Sequence, residues 1–114
     1  MRFVNRTAVT VTPKDRFLDW LHAADSTSGR ITLKRVQREP TIYLLPEGND
    51  DIDATRQLRK VCGEIFEHEL DAWYRDITTW PTERGFSEFR TWFDYSFHSV
   101  VIDLGGTRLI TEDV

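Results

Sequence analysis

The segment from Ile52 to Arg75 constrains the fold most, because its apolar residues repeat with the period of one long amphipathic helix. Its charged side chains lie mainly on the opposite side of the helical wheel from an apolar stripe of Leu58, Val61, Cys62, Ile65, Phe66, Leu70 and Trp73. Just before the segment, Asn49, Asp50 and Asp51 offer oxygens that can accept from the first backbone N–H groups. A helix of this kind needs a second layer to cover its stripe.

Three β-rich runs predict the strands of that second layer: Thr7–Thr12, Thr41–Leu45 and Tyr95–Leu104. In the first run, Val9 and Val11 alternate with smaller or polar residues, which is typical of a half-buried strand. The second run stops at Pro46 and the third at Gly105-Gly106.

Shorter helices are predicted at three places. Thr12 resembles an N-cap for a helix Pro13–Ala24, with Pro13 at its first position. Thr32 begins a helix Thr32–Arg38 that ends before Pro40, although Ile31 and Leu33 also alternate as in a strand. The third helix spans Ser87–Phe93.

This order of elements predicts an α+β two-layer sandwich: a small, mainly antiparallel sheet of about three strands with three to four helices on one side. A chain of 114 residues is expected to be a single domain, residues 1–114. Three strands leave two open edges, so pairing with a second copy as a homodimer is a reasonable expectation. The sequence does not determine the strand order.

Charge and hydropathy narrow the function classes. The net charge is −4, which argues against a general binder of nucleic-acid phosphates. The longest apolar run is Ile42–Leu45, far short of the ~20 residues that span a bilayer. No secretory signal is recognised at the N-terminus. The lone Cys62 fits a reducing compartment, and we therefore expect a soluble, cytoplasmic protein.

Four blocks together resemble a family of short bacterial proteins of unassigned function. They are F-L-D-W-L-H-A-A-D at 17–25, P-T-I-Y-L-L-P-E at 40–47, E-I-F-E-H-E-L-D-A-W-Y at 64–74 and F-H-S-V-V-I-D-L at 97–104. The resemblance covers most of the chain and implies a small bacterial cytoplasmic protein. None of the blocks is a catalytic signature, so it implies no site residue.

Glu69 is the most informative anomaly, because it lies at the centre of the apolar stripe. One interpretation is a general acid or base, or a carboxylate that binds a ligand in a pocket. Another is a structural carboxylate that meets an Arg, a Trp N–H, a Tyr hydroxyl or backbone donors. A third is a helix that bends near His68, which would let Glu69 reach solvent.

His98 alternates with Val100, Ile102 and Leu104 in the third β-rich run. A histidine beside aliphatic residues is more often a hydrogen-bonded core or rim residue than a catalyst. If His98 approached Glu69, the two would form an acid–base pair.

Glu64, His68 and Asp71 project from one helical face at i, i+4 and i+7 and are weak candidates for a divalent metal. The zinc helix motif H-E-x-x-H is absent, and a solvated charged face gives the same spacing. No metal and no cofactor are therefore expected.

Two surface clusters remain. Arg30, Lys34, Arg35 and Arg38 form a local basic cluster, which is either a solvated helix face or a contact for an acidic protein or a nucleic acid.

Aromatic residues are dense near the C-terminal half, and an exposed group of them would mark a binding surface at Trp73, Tyr74, Trp80 and Trp92.

In the absence of any catalytic motif, the sequence favours a non-catalytic protein-binding or regulatory module that uses this aromatic surface. The alternative is a small enzyme or a protein that binds a small-molecule ligand, with Glu69 and His98 facing a pocket. Binding of nucleic acid through the basic cluster is the least favoured hypothesis.

Overall fold

The computed structural model describes residues 1–113, and all of the following helices and strands belong to that part of the chain. In chain order they are β1 (Arg2–Phe3), β2 (Arg6–Pro13), α1 (Asp15–Ala24), α2 (Leu33–Val36), β3 (Thr41–Pro46), α3 (Asp51–Trp73), a 3₁₀ turn (Ile77–Thr79), α4 (Phe86–Trp92), β4 (Phe93–His98) and β5 (Ile102–Asp103).

The main sheet has three antiparallel strands in the order β3-β2-β4. Val9 in the central strand is opposite Tyr43 of β3 on one side and Phe97 of β4 on the other. Side chains alternate between the faces of a sheet, so these odd-numbered positions share one face, which we call the inner face. The even-numbered positions form the outer face.

The helices pack against the inner face and close one hydrophobic core around it. Its fully buried side chains include the aromatic rings of Phe17, Phe66, Phe89 and Phe93. Phe66 of α3 contacts the ring of Phe93 edge-on, with ring centroids 5.1 Å apart. The predicted α+β class is confirmed, with four helices, a three-stranded antiparallel sheet and a further two-stranded sheet.

Two predicted helix starts are confirmed. Thr32 Oγ1 accepts from the backbone N–H of Arg35 at 3.2 Å and caps α2. Asp50 Oδ1 accepts from the N–H of Asp53 at 2.9 Å and caps α3. Both side chains satisfy donors that the first helical turn leaves without a partner.

The prediction of one strand over Tyr95–Leu104 is wrong. The chain leaves the main sheet after His98, and β5 instead pairs with β1 as a separate two-stranded sheet. Next to this second sheet, the backbone N–H of Val4 donates to the carbonyl of Val101 at 2.8 Å and adds one more bond between the two segments. With only two residues, β1 is too short to show an alternating pattern.

The predicted helix start at Pro13 is also wrong, because β2 extends through Pro13, which pairs with Phe93. The backbone N–H of Lys14 then donates to the carbonyl of Trp92 at 2.8 Å. Helix α1 therefore begins at Asp15, and its N-cap residue Lys14 makes no side-chain capping bond. Pairing between strands thus overrides the local preference of Thr12-Pro13 for a helix start.

The outer face of the sheet is partly apolar and open. Ile42 is 63% exposed and Leu44 is 50% exposed, and both lie on strand β3 at the edge of the sheet. The polar side chains of Thr10, Ser96 and His98 lie on the same face. The sheet therefore has one face that the helices cover and another face on which Ile42 and Leu44 are exposed.

Candidate functional site

Helix α3 carries the most unusual buried group of the fold. Glu69 is only 6% exposed, although a carboxylate loses favourable hydration when it is buried. Its burial follows from its place in the apolar stripe, since Phe66 and Leu70 on the same side of the helix are fully buried. The structure therefore agrees with a buried carboxylate and not with a bend in α3 that exposes it.

Tyr43 supplies the hydrogen bond that this carboxylate needs. The residue projects from the inner face of β3, and its hydroxyl donates to Glu69 Oε2 at 2.6 Å. The same hydroxyl oxygen lies 2.8 Å from His68 Nδ1. His68 and Glu69 are adjacent on α3, so one tyrosine contacts two consecutive residues of the helix.

The protons of this cluster can be assigned from its geometry. A phenol carries one proton, and Tyr43 gives it to the carboxylate of Glu69. The bond to His68 then requires the imidazole to donate from Nδ1 to the tyrosine oxygen. Burial first, and the hydrogen bond to Glu69 second, raise the pKa of Tyr43 far above its usual value, so the phenol stays protonated.

A cavity of about 370 Å³ adjoins Glu69, and we call it the Glu69 cavity. It lies where the C-terminal half of α3 meets the segment after α2 and the end of β2. Its lining residues are Pro13, Arg35, Val36, Arg38, Glu39, Thr41, Glu69, Ala72 and Trp73. Glu69 Oε2 accepts from Tyr43, whereas Oε1 accepts no hydrogen bond from residues 1–113 and is accessible.

A second cavity of about 360 Å³ is lined by Tyr43. Its walls are mostly apolar side chains of β3 and α3, and Tyr43, Glu64 and His68 are its ionisable residues. Tyr43 and His68 therefore border this cavity, while Glu69 borders the first. The hydrogen-bonded cluster thus contributes residues to the walls of both cavities.

His98 does not approach Glu69. It is opposite Ala8 on the outer face of the sheet, whereas Glu69 lies on the helix layer at the inner face. Its Nε2 contacts Thr10 Oγ1 at 3.0 Å and Ser96 Oγ at 3.2 Å, both on the same outer face. The acid–base pair considered from the sequence is thus not formed, because the sheet lies between the two residues.

The three weak metal candidates do not form a metal site. Within residues 1–113, no group of three or more His, Cys, Asp or Glu side chains is arranged to hold a metal ion. His68 instead binds Tyr43, and Asp71 lies within 3.7 Å of Arg75. Glu64 is exposed and lines the second cavity.

Of the four aromatic residues proposed as a surface, Trp92 lies in the core. It is 2% exposed, and Phe66 packs against it with ring centroids 5.1 Å apart. Trp73, Tyr74 and Trp80 are half-buried, and Trp80 donates its indole N–H to the carbonyl of Tyr74 at 2.9 Å. The four residues therefore do not form one exposed aromatic surface, since packing against Phe17 and Phe66 requires the ring of Trp92 inside.

The basic cluster is divided by the structure. Arg35 and Arg38 line the Glu69 cavity, whereas Arg30 and Lys34 are exposed and do not line it. Gln37 helps to hold this segment in place, because its side-chain amide donates to the carbonyl of Pro13 at 2.8 Å. No pattern in the sequence connects the cluster with Glu69, which lies on a different helix.

Tyr43 was not predicted as a site residue. The signal that could have found it is the alternation of Thr41, Tyr43 and Leu45, which places a hydroxyl-bearing ring on the covered face of a strand. A buried tyrosine hydroxyl generally needs a partner, and a buried carboxylate is one.

None of the helices in residues 1–113 is both long enough and apolar enough to cross a membrane. No protein-family model, no curated protein and no solved structure matches the chain. The resemblance to short bacterial proteins of unassigned function therefore stays a prediction.

Proposed function

We propose that this protein binds a small polar molecule in the Glu69 cavity. One observation carries the proposal: a nearly fully buried carboxylate has one oxygen held by Tyr43, while its other oxygen has no partner within the described chain and the residue borders a cavity. The volume of about 370 Å³ lies within the range of about 300–1,000 Å³ typical of ligand sites.

The physical reason is the unused acceptor capacity of Glu69. An ionised carboxylate has about four acceptor positions, and Oε1 is accessible and borders the cavity, so a ligand donor can reach it. Tyr43 occupies one of these positions. A ligand that donates to Oε1 would replace water in the cavity and complete the hydrogen bonding of the carboxylate.

Thermal unfolding in the presence of a panel of small polar compounds tests this proposal, because a ligand that binds only the folded chain raises the unfolding temperature. The panel contains amines, amino acids, carboxylic acids, sugars and nucleosides at millimolar concentration. We expect at least one class to stabilise the wild-type protein and to have a much smaller effect on Glu69→Gln. The control is Glu83→Gln, which changes an exposed carboxylate that does not line the cavity.

A panel that stabilises neither protein would contradict the proposal. Equal stabilisation of wild type and Glu69→Gln would show that the compound binds elsewhere. Native mass spectrometry of the purified wild type adds an independent measurement, since a retained small molecule changes the mass of the folded protein.

A second function, self-association through the edge strand β3, is favoured by the exposure of Ile42 and Leu44 on that strand. The proposed partner is a second copy of this chain, because β3 is an open edge strand and antiparallel pairing of two such edges is compatible with twofold symmetry.

Replacing both Ile42 and Leu44 by Lys should reduce the fraction of dimer, measured by light scattering after size exclusion. Ile52→Lys, at a position 70% exposed on α3, is the control. A wild-type protein that is monomeric at high micromolar concentration would rule this function out.

A further inference from the structure

We infer that the ligand of the Glu69 cavity is a small zwitterion that carries a primary ammonium group and a carboxylate, of the size of a free amino acid. The inference rests on the proposed function and specifies its ligand class. It comes from the charges around the cavity, which are of both signs and are contributed by two separate parts of the chain.

Glu69 provides the site for the cationic group. No Lys or Arg in residues 1–113 forms an ion pair with it, and the basic group within ion-pair distance is His68, whose Nδ1 lies 3.8 Å from Oε2. Its Oε1 has no donor from the described chain. An ammonium group has three donors and a full positive charge, so it suits a buried carboxylate better than a neutral donor does. The indole of Trp73, which also lines the cavity, adds an aromatic ring of the kind that attracts cations.

Arg35 and Arg38 provide the site for the anionic group. Both are exposed and line the cavity, and neither has a side-chain hydrogen bond or an ion pair with another residue between 1 and 113. A guanidinium binds a carboxylate through two parallel N–H donors, which gives direction as well as strength. The cap at Thr32 and the bond from Gln37 to Pro13 hold the backbone that carries the two arginines.

The balance of charge then selects against simpler ligands. Arg35, Arg38, Glu39 and Glu69 are the charged residues of the lining, so the cavity is formally neutral. A carboxylic acid without an amine would bring an anion towards Glu69, and an amine without a carboxylate would leave the arginines without a partner. A zwitterion can satisfy both ends together, which is how a binding site obtains specificity.

The size of the cavity limits the ligand. Its volume of about 370 Å³ is near the lower end of the range for ligand sites. It suits an amino acid and not a nucleotide cofactor, which would fill a larger cleft.

Isothermal titration with matched probes tests the inference. The probes are leucine and phenylalanine, the amines that lack their carboxylate (3-methylbutylamine and 2-phenylethylamine), and the acids that lack their amine (4-methylpentanoate and 3-phenylpropanoate). We expect an amino acid to bind, and each matched amine or acid to bind about tenfold or more weakly, because each lacks one charge-assisted pair.

Variants assign the two ends. Glu69→Gln should weaken binding of the amino acid and of the amine and should not weaken binding of the acid, because the substitution removes a like charge from the site of the anion. Arg35→Gln combined with Arg38→Gln should weaken the amino acid and the acid and leave the amine unaffected. Arg30→Gln is the control, because Arg30 belongs to the basic cluster and does not line the cavity. The arginine variants change exposed side chains, so they keep the test informative even if Glu69→Gln unfolds.

The outcomes separate the inference from the proposed function. If only the amine, only the acid or an uncharged member of the wider panel binds with dependence on Glu69, the zwitterion inference is overturned and the cavity remains a ligand site. If an amino acid binds and neither set of variants changes its affinity, the inference is overturned as well. If no compound of any class binds, both the inference and the proposed function are contradicted.

Discussion

Tyr43 of β3 and Glu69 of α3 form a hydrogen bond between the sheet and the helix layer, with a buried carboxylate as the acceptor. The tyrosine hydroxyl donates to Glu69 Oε2 at 2.6 Å and joins β3 to α3. This bond holds Oε2 and leaves Oε1 available to accept from the proposed ligand of the Glu69 cavity. The tyrosine is therefore a positioning residue for the proposed ligand site.

Tyr43→Phe should destabilise the folded protein by about 1–3 kcal/mol, because it removes the donor from a buried carboxylate and leaves the ring in place. Urea unfolding measures the loss. The control is Tyr95→Phe, since the hydroxyl of Tyr95 makes no hydrogen bond within residues 1–113, and there we expect a change of about 0.5 kcal/mol or less.

The same substitution should cost less in a Glu69→Gln background, because a neutral amide is easier to bury without a partner than a carboxylate is. The difference between the two costs is the coupling of a double-mutant cycle. Purely additive effects of Tyr43→Phe and Glu69→Gln would mean that the two side chains do not interact in solution.

Tyr43 also predicts a pH dependence. Burial and the negative charge of Glu69 raise the pKa of Tyr43 in the folded chain, whereas an unfolded tyrosine loses its proton near pH 10. Above that pH the unfolded state releases a proton that the folded state keeps, so the free energy of unfolding falls as the pH rises. The slope for one group is at most about 1.4 kcal/mol per pH unit, and solvent screening at this half-buried hydroxyl reduces it.

Urea unfolding at pH 9 and pH 11 measures this effect. The stability advantage of the wild type over Tyr43→Phe should shrink between the two values, and the other titratable groups are common to both proteins, so their contributions cancel in the comparison. An advantage that stays constant across this range would show that Tyr43 ionises in the folded protein as it does in the unfolded chain, and one that grows would show that folding lowers the pKa of Tyr43.

The burial of Glu69 could be predicted from the sequence, but its partner could not. Helical periodicity is a local property, and it alone places Glu69 between Phe66 and Leu70. The contact with Tyr43 depends on how α3 crosses the sheet, and the two residues are separated by the loop and most of the helix. Tertiary packing of this kind leaves no trace in a periodic pattern.

His98 shows a second limit of sequence analysis. Strand alternation correctly separates it from Phe97, yet alternation does not say which of the two faces the helices cover. The predicted continuation of the strand through Ile102 also hid the turn after His98, since Val100 and Val101 keep the β-rich composition. The pairing of β5 with β1 could only be seen in three dimensions.

Trp92→Ala should lower the free energy of unfolding by about 3–5 kcal/mol, because the side chain is buried and contacts the rings of Phe17 and Phe66. The control is Ile77→Ala at a position 69% exposed, where we expect a loss of about 0.5 kcal/mol or less. Thermal or urea unfolding measures both. A loss for Trp92→Ala as small as that of the control would indicate an exposed ring, as the aromatic-surface hypothesis required.

The thiol of Cys62 should react slowly in the folded protein. It is 3% exposed and lies in the apolar stripe of α3, and burial raises its pKa, so little thiolate is present at neutral pH. Reaction with a chromogenic disulfide then requires local opening, and an opening free energy of about 3 kcal/mol corresponds to about a hundredfold protection.

The reference is Cys62→Ala combined with Ser26→Cys, which moves the thiol to an exposed loop position. We expect the reference thiol to react rapidly in the native state and both proteins to react at similar rates in urea, whereas equal native rates would show that the packing of α3 does not cover Cys62.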